Sequence, residues 1–124
     1  MKILFVCEGN ICRSPMAEVI FKNILKKNNR TDIVVKSAGT WAQVGAGMSN
    51  LCNAALLECG EALPDVPHVA TQFSMEMNTE FDHVIDLRTF ADPYMGDLET
   101  YVTVCKQLQT FCQKLYDSTC KTLS

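Results

Sequence analysis

The residues best suited to chemistry are a cysteine and an arginine that lie six positions apart near the start of the chain. Cys7 and Arg13 bracket the segment CEGNICR. A thiolate is a strong nucleophile, and a guanidinium binds phosphate through two parallel hydrogen bonds. Gly9 lies between them and allows the backbone to bend so that successive N–H groups converge. The spacing therefore predicts an anion-binding loop with a nucleophile at its floor.

Two further side chains would complete a phosphoryl-transfer reaction. Ser14 can donate a hydrogen bond to the sulfur and help it to leave. Asp92, in the turn Asp-Pro-Tyr, is the candidate general acid, which protonates the departing oxygen and later activates water. In-line attack of Cys7 on phosphorus would form a phosphocysteine intermediate. The loop differs from the ATP-binding type because the chain has no G-x-x-x-x-G-K-[ST] motif.

The elements that must position these residues alternate between strands and helices. Ile3–Val6 is a continuous apolar run, typical of a buried parallel strand, and Ser14 with Pro15 predicts the start of a helix. Further strands are predicted at 32–36 and 83–87, and further helices at 49–57, after Ser74 and at 98–115. This pattern predicts one α/β domain over residues 1–124, with three α/β/α layers around a small parallel sheet and the phosphate loop between the first strand and the first helix.

The composition of the chain argues against several classes of protein function. The chain has 124 residues and a net charge of -3, which argues against nucleic-acid and acidic-membrane partners. The apolar run at the start is shorter than the apolar region of a signal peptide, so we expect a cytoplasmic protein with reduced thiols despite its seven cysteines. No cysteine or histidine spacing is typical of a metal site, and we expect neither a metal nor a cofactor.

The string VCEGNICRSPMAE, followed by SAGT and by DPY ahead of the last helix, closely resembles the low-molecular-weight protein tyrosine phosphatases. The resemblance runs from Met1 to about Leu87 and resumes at Ala91. It implies that Cys7 is the nucleophile and that Arg13 binds phosphate and stabilises the transition state. It also implies that Ser14 assists the thiolate and that Asp92 is the acid and then the base.

The same resemblance assigns supporting roles. Asn10 would stabilise the loop, with Ser37 and His68 in its hydrogen-bond network, and Trp41 and Tyr94 would flank the substrate ring. Cys12 matches a second cysteine that can form a protective disulfide with the nucleophile under oxidation. The expected substrate-binding residues are Glu8, Gly9, Asn10, Ile11, Cys12, Arg13, Ser14, Trp41 and Tyr94.

This chain also departs from the family pattern. It passes from HVIDL to ADPY through only Arg88, Thr89 and Phe90, where the family has a further helix and strand. We therefore expect three strands in the order 2-1-3, and the short connection could displace Asp92. The protein is expected to be a monomer or a weak homodimer, in which dimerisation could cover an exposed sheet edge.

Ile11 is the residue that indicates the substrate. Phosphotyrosine-directed members of the family resemble this chain in having isoleucine at that position, whereas the protein-arginine phosphatase branch has threonine. The expected partner is a phosphotyrosine protein or a small aryl phosphate, with inorganic phosphate as product. Glu8 is expected to point outward at the pocket rim and to weaken binding of acidic phosphopeptides.

Two alternatives remain open. The short connection and Glu8 are compatible with a catalytically weak module that binds phosphopeptides. Cys52 and Cys59, seven residues apart, resemble the shuttle pair of thioredoxin-linked arsenate reductases, although that pair follows the third strand and here the two cysteines precede it.

Several residues also have ordinary structural interpretations. Asp92 could simply form the turn, Tyr94 could pack, and His68 could be solvated. Cys12 could be a small core residue and Trp41 could cap the core.

Overall fold

In the computed structural model, which describes residues 1–120, three parallel strands form one sheet. The strands are β1 (Lys2–Cys7), β2 (Val34–Gly39) and β3 (His83–Asp86), in the order β2-β1-β3. The register runs from Lys2↔Val34 to Cys7↔Gly39 on one side of β1, and from Ile3↔His83 to Val6↔Asp86 on the other. The expected order 2-1-3 is confirmed, and it places the end of β1 between two neighbours.

The second strand begins and ends later than the sequence pattern predicted. It covers Val34–Gly39 rather than residues 32–36, so the Ser-Ala-Gly segment is strand and not turn. Gly39 pairs with Cys7 and also forms a bridge to Gln72. These long-range pairings hold the segment extended, and a local turn signal does not report them.

Four helices surround the sheet: α1 (Arg13–Lys27), α2 (Asn50–Glu58), α3 (Met77–Glu80) and α4 (Leu98–Leu115). A π-helical turn at Tyr116–Cys120 continues α4. No helix within residues 1–120 is long and apolar enough to cross a membrane.

Two of the three predicted helix caps were wrong, and the cap at Ser49 was right in position. α1 begins at Arg13, ahead of Ser14, and its N-cap residue is Cys12. Ser49 is the N-cap residue of α2 but its side chain makes no capping hydrogen bond, and the N-cap residue of α3 is Glu76 rather than Ser74. Serine satisfies the pattern of a cap, but Ser14 uses its hydroxyl in the phosphate loop instead.

The two faces of the sheet are covered unequally. α1 and α4 pack against each other on one face, where Ile3 and Phe5 are fully buried. The ring of Phe5 meets Phe21 of α1 edge-on, with 5.8 Å between centroids. On the other face Leu4 and Val6 pack against Phe81 and the short α3 region. The predicted layers are present, but the second helical layer is thin.

The connection between β3 and α4 spans residues 87–97 without any further helix or strand. Its start continues the strand pairing, because the Leu87 N–H donates to the Val6 carbonyl (2.7 Å). Its middle is fixed by Phe90, whose ring packs edge-on against Phe111 of α4 with centroids 5.4 Å apart. At its end Asp97 caps α4 by accepting a hydrogen bond from the Thr100 N–H. The expected absence of a helix and a strand between β3 and α4 is confirmed, and a short segment held by these contacts joins the two elements instead.

Candidate active site

The candidate nucleophile lies at the carboxyl end of the central strand. Cys7 is the last residue of β1 and is buried, with its Sγ 2.9 Å from the Ser14 Oγ at the start of α1. The Ser14 oxygen accepts a hydrogen bond from the Asn10 Nδ2 (2.8 Å). Since a thiolate can only accept hydrogen bonds, the Ser14 hydroxyl donates to an ionised Cys7. This contact is the geometry that the predicted assistance to the sulfur would require.

Asn10 connects the loop to the surrounding structure. Its Nδ2 also donates to the Ser37 Oγ (3.0 Å), and its Oδ1 accepts from the Thr71 N–H (2.8 Å). The His68 Nε2 lies 2.7 Å from the Asn10 carbonyl oxygen. The structure therefore places His68 in a specific hydrogen bond rather than in solvent, and it brings Asn10, Ser37 and His68 together.

The bend in the loop was assigned to the wrong residue. Asn10 has a φ of 56°, whereas Gly9 lies outside the left-handed region. Asparagine tolerates this conformation better than most residues, and the hydrogen bonds of its side chain hold it there. A Cβ at Gly9 would meet the nearest atom, the Ile11 Cγ1, at an ordinary 3.6 Å.

Sequence reasoning missed two residues that support the loop, Glu18 and Gly39. The Ser37 hydroxyl donates to the Glu18 Oε1 (2.6 Å), and Lys22 pairs with the other oxygen of Glu18, which extends the network along α1. Gly39 allows β2 to approach the loop, because a Cβ there would lie 2.5 Å from the Glu8 carbonyl oxygen and 2.9 Å from the Asn10 nitrogen. The SAGT segment carried the only sequence signal for Gly39.

The candidate phosphate-binding arginine is fixed by the connection that follows β3. Arg13 is only 5% exposed, and its Nη1 donates to the carbonyls of Phe90 (3.0 Å) and Arg88 (3.3 Å). Its Nη2 lies 3.5 Å from the Asp92 Oδ2. The short segment between β3 and α4 therefore orients the guanidinium through its backbone.

The same contacts place the candidate acid. The side chain of Asp92 is 44% exposed, and its Oδ1 accepts a hydrogen bond from the Tyr94 N–H (3.0 Å). Asp92 thus forms the turn and also presents its second oxygen to Arg13. The short connection does not move Asp92 away from the phosphate loop.

These residues line a pocket of about 500 Å³. Trp41 and Tyr94 stand at its mouth, 80% and 60% exposed, so the interpretation of Trp41 as a core cap is wrong. Asn10 and Ser14 support the loop from behind and do not line the pocket. Gln43 lines it and was not predicted. The lining residues are Cys7, Glu8, Gly9, Ile11, Cys12, Arg13, Trp41, Gln43, Asp92 and Tyr94.

Cys12 is buried beside Cys52 of α2. Hydrogen bonding from the Cys52 thiol lowers the pKa of Cys12, and the pKa of Cys52 is raised by that hydrogen bond and by burial. Cys52 lies in α2 and Cys59 is the C-cap residue of that helix, and neither lines the pocket that holds Cys7. Cys105 and Cys112 are fully buried in the core, and all seven cysteines are free thiols.

The described residues also form a larger groove. A groove of about 680 Å³ lies between α1, β2 and residues 62–71, but no cysteine lines it. Among residues 1–120, no three or more His, Cys, Asp or Glu side chains are grouped so that they could hold a metal ion. The chemistry therefore centres on the smaller pocket above Cys7.

Comparisons with known proteins agree with this geometry. A model of the family described as low molecular weight phosphotyrosine protein phosphatase matches residues 2–91. The low molecular weight protein-tyrosine-phosphatase PtpB of Staphylococcus aureus is 30% identical, over 97% of this chain and all of the relative. The alignment spans 152 positions against 124 residues here, so the relative contains segments that this chain lacks. A protein-arginine-phosphatase of Bacillus subtilis is 41% identical over 61% of this chain and 50% of the relative.

Solved structures share the fold. A low molecular weight protein tyrosine phosphatase from T. tengcongensis is 30% identical, with a TM-score of 0.83 over 95% of this chain and 99% of that chain. A mutant of YwlE from Bacillus subtilis is 25% identical, with a TM-score of 0.84 over 95% and 97%. Asp92 lies just beyond the residues that the family model matches, so its assignment depends on the contacts described above.

Proposed function

Because this chain belongs to the low molecular weight phosphotyrosine protein phosphatase family, we propose that it hydrolyses phosphotyrosine in proteins through a phosphocysteine intermediate. The observation that carries the proposal is the convergence of Cys7, Arg13 and Asp92 on one pocket. The substrate is a phosphorylated protein or a small aryl phosphate, and inorganic phosphate is the final product. Each step uses groups of the chain itself.

Binding of the phosphate depends on the loop and on the start of α1. Unpaired N–H groups at a helix N-terminus and the positive end of its dipole favour an anion. Arg13, held by two carbonyls, supplies a guanidinium whose remaining N–H groups can form a bidentate contact with phosphate oxygens. The phosphorus is thereby held above Cys7.

The first chemical step forms a sulfur–phosphorus bond. The Cys7 thiolate attacks phosphorus, the bond from phosphorus to the tyrosine oxygen breaks, and Asp92 donates a proton to that oxygen. In the second step the Asp92 carboxylate removes a proton from water as the water oxygen attacks phosphorus. The sulfur–phosphorus bond breaks, and Cys7 leaves as a thiolate that the Ser14 hydroxyl stabilises.

The rim of the pocket supports an aromatic leaving group. Ile11, Trp41 and Tyr94 present apolar surface around the entrance, where a phenyl ring would lie after the phosphate is bound. PtpB of Staphylococcus aureus, whose match covers 97% of this chain, is named as a tyrosine phosphatase. These features together favour phosphotyrosine.

Phosphoarginine is the second candidate substrate. One relative is named a protein-arginine-phosphatase, and the carboxylates of Glu8 and Asp92 line the same pocket, where they could pair with a guanidinium leaving group. Parallel turnover of phosphotyrosine and phosphoarginine peptides separates the two. We expect a higher kcat/KM for phosphotyrosine, and the reverse order would favour the second candidate.

We also propose a cytoplasmic location and a single domain over residues 1–124. The free thiols support a reducing compartment, and the continuous core that joins β1, α1, α2 and α4 supports one domain. We propose a monomer or weak homodimer, because β2 and β3 are edge strands of the sheet.

Steady-state hydrolysis of a phosphotyrosine peptide tests the function. Cys7→Ser should abolish turnover, and Asp92→Asn should lower kcat by about 10²–10⁴-fold, which is the usual contribution of a general acid. Asp65→Asn is a control, because Asp65 is exposed and lies outside the pocket of Cys7.

Two results would reject the proposal. Full turnover by Cys7→Ser would exclude the phosphocysteine route. Binding of the phosphopeptide by wild type without any hydrolysis, even at acidic pH, would instead favour the phosphate-binding module.

A further inference from the structure

We propose that a second depression beside the phosphate pocket binds a lysine or arginine side chain next to the phosphotyrosine of the substrate. This inference rests on the proposed function, because a phosphotyrosine in the main pocket is what brings a neighbouring residue to the depression. A preference for a basic neighbour would affect which peptides are bound, and it would leave the steps of the reaction unchanged.

The depression adjoins the catalytic pocket. Its volume is about 390 Å³, and three of its lining residues, Glu8, Arg13 and Asp92, also line the larger pocket. Consecutive Cα atoms are about 3.8 Å apart, so the side chain of a residue beside the phosphotyrosine can reach a cavity that shares a wall with the phosphate site. The other lining residues are Thr40, Arg88 and Phe90.

The charges of the depression favour a cation. Arg88 is neutralised by Asp86, which accepts from its Nη2 (2.8 Å) and its Nε (3.0 Å). Arg13 faces the bound phosphate. Glu8 is exposed and forms no ion pair with any residue from 1 to 120. The unpaired charge is therefore the Glu8 carboxylate, joined by Asp92 once that residue has donated its proton.

The apolar part of the depression suits a long basic side chain. Thr40 and Phe90 line the depression together with Glu8, so the methylene stem of lysine or arginine could lie along them while its charged end reaches Glu8. An acidic side chain in the same place would meet the Glu8 carboxylate and the phosphate dianion. The depression is thus expected to select against acidic neighbours as well as for basic ones.

Two series of phosphotyrosine peptides test the proposal. In each series one neighbour of the phosphotyrosine, on the amino or the carboxyl side, is lysine, glutamine or glutamate. In one of the two series we expect the wild-type kcat/KM at low salt to be about 1.5- to 5-fold higher with lysine than with glutamate, which is the range expected for an exposed ion pair. The two values should converge as salt screens the charges.

Two substitutions should move that ratio in opposite directions. Glu8→Gln removes the unpaired carboxylate and should bring the lysine-to-glutamate ratio close to one. Arg88→Gln removes a positive charge from the wall and should raise the ratio above that of wild type. Glu58→Gln is the matched control, because Glu58 is exposed and lines neither cavity, and it should keep the wild-type ratio.

The outcomes are distinguishable. Hydrolysis of all peptides with equal kcat/KM, or a ratio that Glu8→Gln and Arg88→Gln leave unchanged, overturns the basic subsite alone. Failure of wild type to hydrolyse any peptide overturns the proposed function together with the subsite.

Discussion

At the scale of single residues, Asn10 joins four parts of the candidate site. Its side chain reaches Ser14, Ser37 and the Thr71 backbone, and its carbonyl meets His68. The backbone at Asn10 is left-handed, and the residue is fully buried. One residue therefore shapes the loop and fixes the hydroxyl that contacts Cys7.

Replacement of Asn10 by alanine should destabilise the protein by about 1–3 kcal/mol, because several buried hydrogen-bonding groups lose their partner. It should also lower kcat, since Ser14 loses the donor that orients its hydroxyl. Urea unfolding and peptide hydrolysis measure the two effects. Asn29→Ala is the matched control, because Asn29 has a φ of 55° but is exposed. Equal loss of stability in both variants would show that the stability depends on asparagine in the left-handed conformation and not on the buried hydrogen bonds of the Asn10 side chain.

At this scale the sequence indicates the candidate reacting groups better than the residues that support them. Cys7, Arg13, Ser14 and Asp92 are recognisable because the chemistry requires those residue types. Thr71 contributes its backbone N–H, which any residue except proline could supply, so its identity carries no signal.

At the scale of elements, the end of β2 is packed against the phosphate loop. A Cβ at Gly39 would collide with the backbone of Glu8 and Asn10 rather than with a movable side chain. The sequence pattern ended β2 before this residue, because the pairing with Cys7 and the bridge to Gln72 are contacts between distant parts of the chain.

Gly39→Ala should therefore displace the loop, cost about 1–3 kcal/mol in the free energy of unfolding and weaken phosphate binding. Thermal unfolding and competitive inhibition by inorganic phosphate measure these effects. Gly47→Ala is the control, because the nearest atom to a Cβ there is 3.9 Å away. If Gly39→Ala binds phosphate like wild type, the close approach is unimportant to the site.

The connection between β3 and α4 is the element that the sequence left least certain. Its shortness suggested displacement of Asp92, yet the packing of Phe90 on Phe111 and the contacts of Arg13 hold it over the pocket. These contacts involve residues far apart in the chain, and the spacing of motifs cannot report them.

Phe90→Ala should loosen this connection and lower kcat most for aryl phosphates with poor leaving groups, because those substrates depend on the proton from Asp92. A comparison of kcat between good and poor leaving groups measures the effect. Phe73→Ala, which removes a ring from the opposite face of the sheet, is the control and should affect both substrates alike. Equal losses with both substrates in Phe90→Ala would argue that the ring does not position the acid.

At the scale of the whole molecule, the site lies at the carboxyl edge of a parallel sheet, where open α/β folds commonly bind ligands. The sequence predicted this placement from the motif between the first strand and the first helix, and it predicted the strand order through the resemblance to the family. It could not predict the unequal layers, because the packing of Leu4 and Val6 against Phe81 is set by tertiary contacts.

The proposed function requires that this small sheet supports a phosphocysteine intermediate, which acid-quench trapping would detect. Asp92→Asn is mixed with a radiolabelled aryl phosphate that has a good leaving group, so that the first step needs little acid while loss of the base slows the second. We expect covalent label on the peptide that contains Cys7, and none with Cys7→Ser. Hydrolysis without covalent label on Cys7, or label on another residue, would contradict it.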